Sequence, residues 1–322
     1  MKVQDISEYF KENYSGLGEI KNVKPLEHTN INSINLYINS SKGNYVLRKF
    51  IDGSPPNKIE KMCQIINFCN KNKIKVSRPI KNKKNKYVDP KKKIYITNYY
   101  NGSLFHGTNK ELIDLAINLA LLHRTLKSNK ITYNYRTNSA YYKPLTIKEI
   151  ERLKNKIKPK SRFDKLILKE LKHISKYSNK YEIELKKLRQ LNFKKQLIHH
   201  DLHPGNVIFK KNKVVTILDF LAMRKGVIVE DVSFSSVRFA SQYLSSVDKI
   251  QNKIDLFLKT YLKYNDVEDL QLDNMKYFFL QKILGRIGYI LRKKYFFGSN
   301  IWLIDFEKNL NLLKLLNKIN FN

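Results

Sequence analysis

Residues 197–220 read LIHHDLHPGNVIFKKNKVVTILDF and carry three oxygen-bearing side chains at an informative spacing: Asp201, Asn206 and Asp219. Asp201 and Asn206 share one HxDxxxxN turn. Pro204 and Gly205, lying between them, forbid a regular helix and turn both side chains toward a common point. Residues 207–209 and 214–218 are largely apolar runs separated by the polar stretch 210–213, which predicts a β-hairpin. Such a hairpin carries Asp219 back beside the turn, so the three side chains are expected to converge.

Two carboxylates and an amide oxygen at one point suit phosphoryl transfer. That reaction needs an aligned hydroxyl and a metal ion that neutralises the charge spread over the phosphate oxygens. Magnesium prefers hard oxygen ligands, and phosphate oxygens with water complete its octahedron. Asn206 and Asp219 are assigned to Mg2+. Asp201 is assigned to the attacking hydroxyl, whose proton it accepts as the new bond forms. Each residue alone reads as well as a turn-stabilising side chain; the three together, with a hairpin between them, carry the assignment.

On these residues the chain resembles the aminoglycoside phosphotransferase and choline kinase family, small-molecule kinases similar to protein kinases. His199, Asp201, Leu202, His203, Pro204, Gly205 and Asn206 match the family block H-G-D-L-H-P-G-N, with His200 where glycine is usual. Leu218, Asp219 and Phe220 resemble its I-D-F block. Leu221 stands where protein kinases place glycine, which argues against a conventional protein kinase. The resemblance implies an α+β, bilobal, protein-kinase-like fold. A small β-rich N-terminal lobe over residues 1–98 would bind ATP, and a larger, mostly helical lobe over 99–322 would hold the catalytic loop and the acceptor. The implied activity is transfer of the γ-phosphate of ATP to a hydroxyl of an amino alcohol (choline, ethanolamine or homoserine type) or of a sugar or aminoglycoside. The alternative is a catalytically inactive kinase-like module used for binding or scaffolding.

Asn44, Tyr45, Val46, Leu47 and Arg48, after a Lys-Gly turn, resemble the family strand that presents a cation to the nucleotide phosphates. Alternation along a strand puts Val46, Arg48 and Phe50 on one face and Tyr45, Leu47 and Lys49 on the other. The family pattern favours Arg48 as the nucleotide cation. Glu60, on a helix entered through Pro55 and Pro56, is its candidate acidic partner, and reads equally as an exposed helix-surface residue. Residues 27–33 occupy the place of the phosphate-covering turn but contain no glycine; Thr29, Asn30, Asn32 and Ser33 are the donors offered instead.

Around these motifs, residues 1–97 read as short β-type runs with one helix. Strands are expected over 34–38, 45–50 and 94–97, and the helix over 58–70. Residues 98–102 read as a hinge whose backbone would meet an adenine ring. Leu112, Leu115, Ala116, Leu119, Leu122 and Leu126 form the apolar stripe of a helix capped by Thr108 or Asn109, with His123 as a packing residue. Amphipathic, lysine-rich helices are expected over 147–191 and closing helices over 247–315, with Trp302 and Phe306 buried. Asp231 resembles the start of the family's D-L-A helix and otherwise reads as an N-cap.

The chain has 322 residues, 62 Lys and Arg against 28 Asp and Glu, and a net charge of +34. That balance raises nucleic-acid binding as a question. The cations are mostly lysines dispersed over Asn- and Ile-rich helices, the bias of an AT-rich genome, and no nucleic-acid-binding motif accompanies them. The densest run, seven lysines over 81–93, reads as a solvated loop around an Asp-Pro turn. No specific nucleic-acid partner is expected; the partner is a small-molecule hydroxyl acceptor. Cys63 and Cys69 form no metal or disulfide pattern, and no apolar run is long enough to cross a bilayer. The expected location is the cytoplasm.

Overall fold

The computed structural model describes residues 3–26, 33–51, 55–133, 143–188, 190–300 and 303–321. Thr29, Asn30, Asn32 and Trp302 lie outside the described residues. The fold is mixed, with an antiparallel sheet in the N-terminal region and helices in the C-terminal part. The chain divides into two compact units. The first comprises Met1–Tyr135, Leu197–Lys225 and Thr260–Asn265; the second comprises Arg136–Gln196, Gly226–Lys259 and Asp266–Asn322.

In the first unit, strands β1 (Ile20–Pro25), β2 (Ser33–Ser40), β3 (Gly43–Phe50), β4 (Pro79–Ile80), β5 (Val88–Asp89) and β6 (Ile94–Asn98) form one sheet in the order β1-β2-β3-β6-β4, with β5 also on β6. Every pairing is antiparallel. Helix α1 (Val3–Tyr14) covers one face: Ile6, Tyr9, Phe10 and Tyr14 pack with Ile38, Tyr45, Leu47, Ile94 and Ile96. The expectation of one helix before residue 97 is therefore corrected to two, α1 and α2 (Pro56–Lys71). The missed signal is the spacing of Ile6, Tyr9, Phe10 and Tyr14, which puts four apolar groups on one helical face.

Alternation on β3 behaves as the sequence requires. Tyr45 and Leu47 are buried beneath α1, while Arg48 faces the opposite side. Phe50 stacks on Tyr95, with centroids 5.6 Å apart and planes 8° from parallel. On α2, Ile59, Met62, Cys63, Ile66 and Cys69 are buried, and both cysteines are free thiols.

Helix α3 (Asn109–Ser128) starts with a capping box: Thr108 Oγ1 accepts the Glu111 N–H, and Glu111 accepts the Thr108 N–H. Its stripe is buried as expected, and so is His123, whose Nδ1 lies 2.6 Å from the Tyr261 hydroxyl.

The second unit is helical: α4 (Ile147–Lys156), α5 (Arg162–Leu188), α6 (Ile228–Ala240), α7 (Val247–Leu262, ending in the first unit), α8 (Asp269–Asp273), α9 (Met275–Phe297) and α10 (Leu303–Leu315). Helix α9 packs against α5, α6 and α10. Partly buried polar ties lock them. Arg292 bonds both Glu149 oxygens at 2.7 and 2.9 Å and the carbonyls of Lys143 and Pro144. Lys314 reaches Glu170 at 2.6 Å, and Tyr295 donates to Asp164 at 2.6 Å. Phe306 is fully buried, as its apolar surroundings predict. Asp231 is not a cap: it is the fourth residue of α6, wholly buried, and Glu230 instead accepts the N–H of Val227. Among the described residues no helix is long and apolar enough to cross a membrane.

Candidate active site

The predicted hairpin is present. Strands β7 (Val207–Lys210) and β8 (Lys213–Ile217) pair across a two-residue turn, Lys211 and Asn212, both with positive φ (51° and 61°). That is the twist a tight hairpin needs. The hairpin is fixed from outside as well. Buried Asp114 on α3 accepts the Val214 N–H at 2.8 Å and the Lys213 ammonium at 2.9 Å. Ile217 bonds the backbone of Lys75 and Ser77. Phe209 exchanges two backbone bonds with Ser103, at 2.8 and 2.9 Å. Beside that junction only glycine fits at 102, because a Cβ there would run into the Phe209 carbonyl oxygen and the Ile208 side chain.

The loop preceding the hairpin is bound to its far end. His199 Nε2 lies 2.8 Å from the Leu218 carbonyl, which can only accept, so the proton sits on Nε2. Nδ1 is then the acceptor for the Asp201 N–H at 3.2 Å. One imidazole thus ties the backbone of residue 201 to the residue before Asp219. Asn206 Nδ2 donates to the Asp201 carbonyl at 2.9 Å, and the Leu218 N–H donates to the Asn206 carbonyl at 2.9 Å. With its amide nitrogen committed, Asn206 keeps Oδ1 as the atom suited to a cation.

Two backbone positions explain the motif. His200 has φ 66° at the position where glycine is usual, so the left-handed conformation is a demand of the turn; histidine is among the residues that tolerate it. Asp219 has φ 58° and ψ 70°, also left-handed. Holding a non-glycine residue there costs about 1 kcal/mol or more. The surrounding bonds enforce it, and it sets the direction of the carboxylate.

Arg48 reaches this carboxylate: its Nη1 lies 3.3 Å from Asp219 Oδ1, with both side chains mostly buried. Its Nε donates to Asn35 Oδ1 at 2.7 Å. Asn35 and Tyr95 are its cross-strand neighbours on β2 and β6, and sequence reading found neither. Burial beside these groups pushes the Tyr95 hydroxyl up to about 12, with the Arg48 charge opposing the shift. Glu60 does not pair with Arg48. Its Oε2 accepts the N–H groups of Tyr87 and Val88, both at 2.9 Å, so it organises the start of β5. Helix α2 presents it to a backbone end whose two donors outcompete a cation held by Asn35 and Asp219.

Asp201 is partly exposed, and His203 Nε2 stands 4.0 Å from its Oδ2. The Gly205 N–H bonds His203 Nδ1 at 3.1 Å, which puts the His203 proton on Nε2, toward Asp201. No cluster of three or more His, Cys, Asp or Glu side chains able to hold a metal occurs among the described residues. The donor set Asn206 and Asp219 fits a magnesium that takes its remaining ligands from phosphate and water, since both atoms are hard oxygens. The described residues thus bring together Asp201, Asn206, Asp219 and Arg48, and leave Glu60 outside.

A model of the phosphotransferase enzyme family, APH, matches residues 22–260. This chain belongs to that family. Comparison with curated proteins finds no match. Among solved structures, spectinomycin phosphotransferase in complex with ADP and spectinomycin is 15% identical, with a TM-score of 0.72 over 99% of this chain and 93% of that chain. Amicoumacin kinase in complex with AMP-PNP and Ca2+ is 16% identical, with a TM-score of 0.68 over 100% and 96%. Choline kinase from Streptococcus pneumoniae is 13% identical, with a TM-score of 0.62 over 97% and 98%. At these identities the likeness is one of fold: that of a kinase-like phosphotransferase.

Proposed function

We propose that this phosphotransferase-family chain is a magnesium- and ATP-dependent kinase acting on a hydroxyl of a small molecule, an amino alcohol or a sugar. The observation that supports the reading is the bonded circuit through His199, Leu218, Asn206 and Asp201, which holds Asp201, Asn206 and the residue before Asp219 in one frame. When bound, Mg2+ neutralises the charge spread over the transferring phosphate. Asn206 Oδ1 and Asp219 would hold it. Asp201 accepts the hydrogen bond of the attacking hydroxyl and takes its proton as the oxygen bonds the γ-phosphorus and that phosphorus parts from the bridging oxygen, ADP leaving. Arg48, held by Asn35, supplies fixed positive charge for the nucleotide phosphates and shares Asp219.

The acceptor class rests on the company the fold keeps. Similar folds belong to kinases of choline, ethanolamine and aminopropanol and to kinases of spectinomycin and amicoumacin. This company supports a hydroxyl acceptor, and a shared fold does not name one. The test is incubation with Mg-ATP and a panel of amino alcohols and amino sugars, reading phosphorylated product by mass. ADP release matched by one phosphorylated acceptor is the expected result. A protein that neither binds Mg-ATP nor phosphorylates any of the panel would overturn the reading in favour of a non-catalytic module.

A further inference from the structure

Helix α2 and the loop before β5 border a cavity of about 360 Å³ within the sheet-bearing unit, lined by none of Arg48, Asp201, Asn206 and Asp219. Glu60, Gln64, Asn67, Phe68 and Lys71 line it from one face of α2, at the three- and four-residue steps that stack side chains along a helix. Lys81, Asn85, Lys86 and Tyr87 face them from the loop, and Ile131, just past α3, completes the wall.

The lysine-rich run reads in sequence as a solvated loop, yet bonds within the unit fix its shape. Asn82 Oδ1 accepts the N–H groups of Lys84 and Lys86 at 3.0 and 3.1 Å, and the Asn82 N–H donates to the Lys86 carbonyl at 2.8 Å. Lys81 Nζ donates to Asn85 Oδ1 at 2.7 Å and stands 5.4 Å from the centroid of the Tyr87 ring. Lys83 bonds α1 twice, through its N–H to the Asn13 carbonyl at 2.9 Å and through its ammonium to the Lys11 carbonyl at 3.3 Å. On the helix side, Glu60 Oε2 fastens α2 to the N–H groups of Tyr87 and Val88. The Lys61 ammonium bonds the Thr132 carbonyl at 3.2 Å, beside Ile131. Walls tied in this way are formed before a ligand arrives, so binding there orders little of the protein.

Other groups on these walls are not committed. The side chains of Gln64, Asn67, Lys71 and Lys86 make no hydrogen bond or ion pair among the described residues. Nor does the hydroxyl of Tyr87, although that residue is only 5% exposed. Three lysines face one carboxylate, Glu60, which already accepts two N–H groups. Phe68, Tyr87 and Ile131 add ring and alkyl surface to the polar wall.

We infer that this cavity binds a small aromatic anion, its charged head met by Lys71 and Lys86 and its ring lying against Phe68 and Tyr87. Two ammoniums suit a doubly charged head such as a phosphate monoester, amide donors at 64 and 67 can complete its hydrogen bonds, and aromatic walls favour a flat ring. The volume lies at the small end of ordinary ligand pockets, which fits one ring and its head. A nucleic acid fits less well, because it needs an extended strip of free cations, and Lys81 and Lys83 are bonded back onto the unit. The inference goes beyond the proposed phosphoryl transfer and does not depend on turnover.

The test is calorimetric titration of phenyl phosphate into the full chain at constant ionic strength, with Mg-ADP present throughout to keep the probe from the nucleotide site. Saturable binding is expected. Lys71→Gln and Lys86→Gln should each weaken it about threefold to tenfold, as loss of one charge-assisted contact at an exposed position does. The double variant should lose more than either alone, and Phe68→Ala should weaken binding through the lost ring contact. Lys24→Gln, an exposed lysine on β1 at the far edge of the same sheet, should bind as wild type does. Lys71 and Lys86 are both exposed, so their variants keep the test valid if Phe68→Ala misfolds. Inorganic phosphate should bind more weakly than phenyl phosphate. No saturable binding, unchanged affinity in the double lysine variant, or inorganic phosphate binding as tightly as phenyl phosphate would overturn the inference.

Discussion

The two units differ in how they hold their chemistry. All seven non-glycine residues with positive φ among the described residues lie in the sheet-bearing unit, including His200, next to the proposed base, and Asp219, a proposed metal ligand. There, side chains are aimed by the backbone: a strained turn, a two-residue hairpin and a histidine bonded at both nitrogens. The helical unit aims its side chains by packing and ion pairs, and its special groups are cations on helix faces. Backbone-aimed sites tolerate little change in residue type; helix faces admit many.

The largest effect that would sharpen this contrast is on transfer. Asp201→Asn keeps shape and removes the proton acceptor, so single-turnover phosphorylation should fall on the order of a hundredfold or more while Mg-ATP still binds. Transfer at the wild-type rate would remove Asp201 from the base role.

Next comes the nucleotide cation. Arg48→Ala should weaken Mg-ATP binding roughly tenfold to a hundredfold, since a charge-assisted bond contributes about 1.5–3 kcal/mol. Lys49→Ala and Glu60→Gln should leave affinity nearly unchanged, as Glu60 bonds the backbone of Tyr87 and Val88. Fluorescent-nucleotide displacement on the three variants checks this, and a large loss in Glu60→Gln would contradict the pairing of Arg48 with Asn35 and Asp219.

Gly102→Ala probes the backbone rule itself. The new methyl must displace Phe209 and its strand, an overpacking cost of about 1–3 kcal/mol. Urea unfolding should show that loss, and an unchanged midpoint would mean the junction is looser than it looks.

In the helical unit, the Arg292 hydrogen bond above all holds the Glu149 carboxyl down at about 2, below its ordinary 4.5, and the Thr146 backbone N–H adds to it. A depressed folded-state value means the contribution is complete above about pH 4.5 and is lost as pH falls toward 2. Partial exposure screens the pair, so Glu149→Gln should cost about 1–2 kcal/mol at pH 7, with the difference from wild type shrinking below pH 4.5. Urea midpoints at pH 7 and pH 3.5 provide the check; a gap that widens in acid would contradict the pair.

Which features the sequence showed follows from the same contrast. The hairpin, the HxDxxxxN turn and the facing of Arg48 are local: each depends on turn residues or on period-2 alternation within a few positions. Even the departure at His200 has a local reason, visible once its φ is known. Asn35, Tyr95 and Asp114 were not legible, because what each does depends on a strand register or a helix contact formed far along the chain. Glu60 misled for the same reason: its position on α2 is readable, but the end of β5 that it meets is not. In the helical unit the sequence gives the existence of amphipathic helices. It does not say that Lys282, Arg286 and Arg238 meet at Phe234, since α6 and α9 are joined by no local pattern.

On the proposed function, Asp219, set in its left-handed turn, holds the metal-bound nucleotide. Calorimetric titration of ATP at several magnesium concentrations into wild type and Asp219→Asn tests it most directly. Wild type should bind tightly and in a magnesium-dependent way, and the variant weakly, with partial recovery as magnesium rises. Equal affinity and equal magnesium dependence in the two proteins would contradict it.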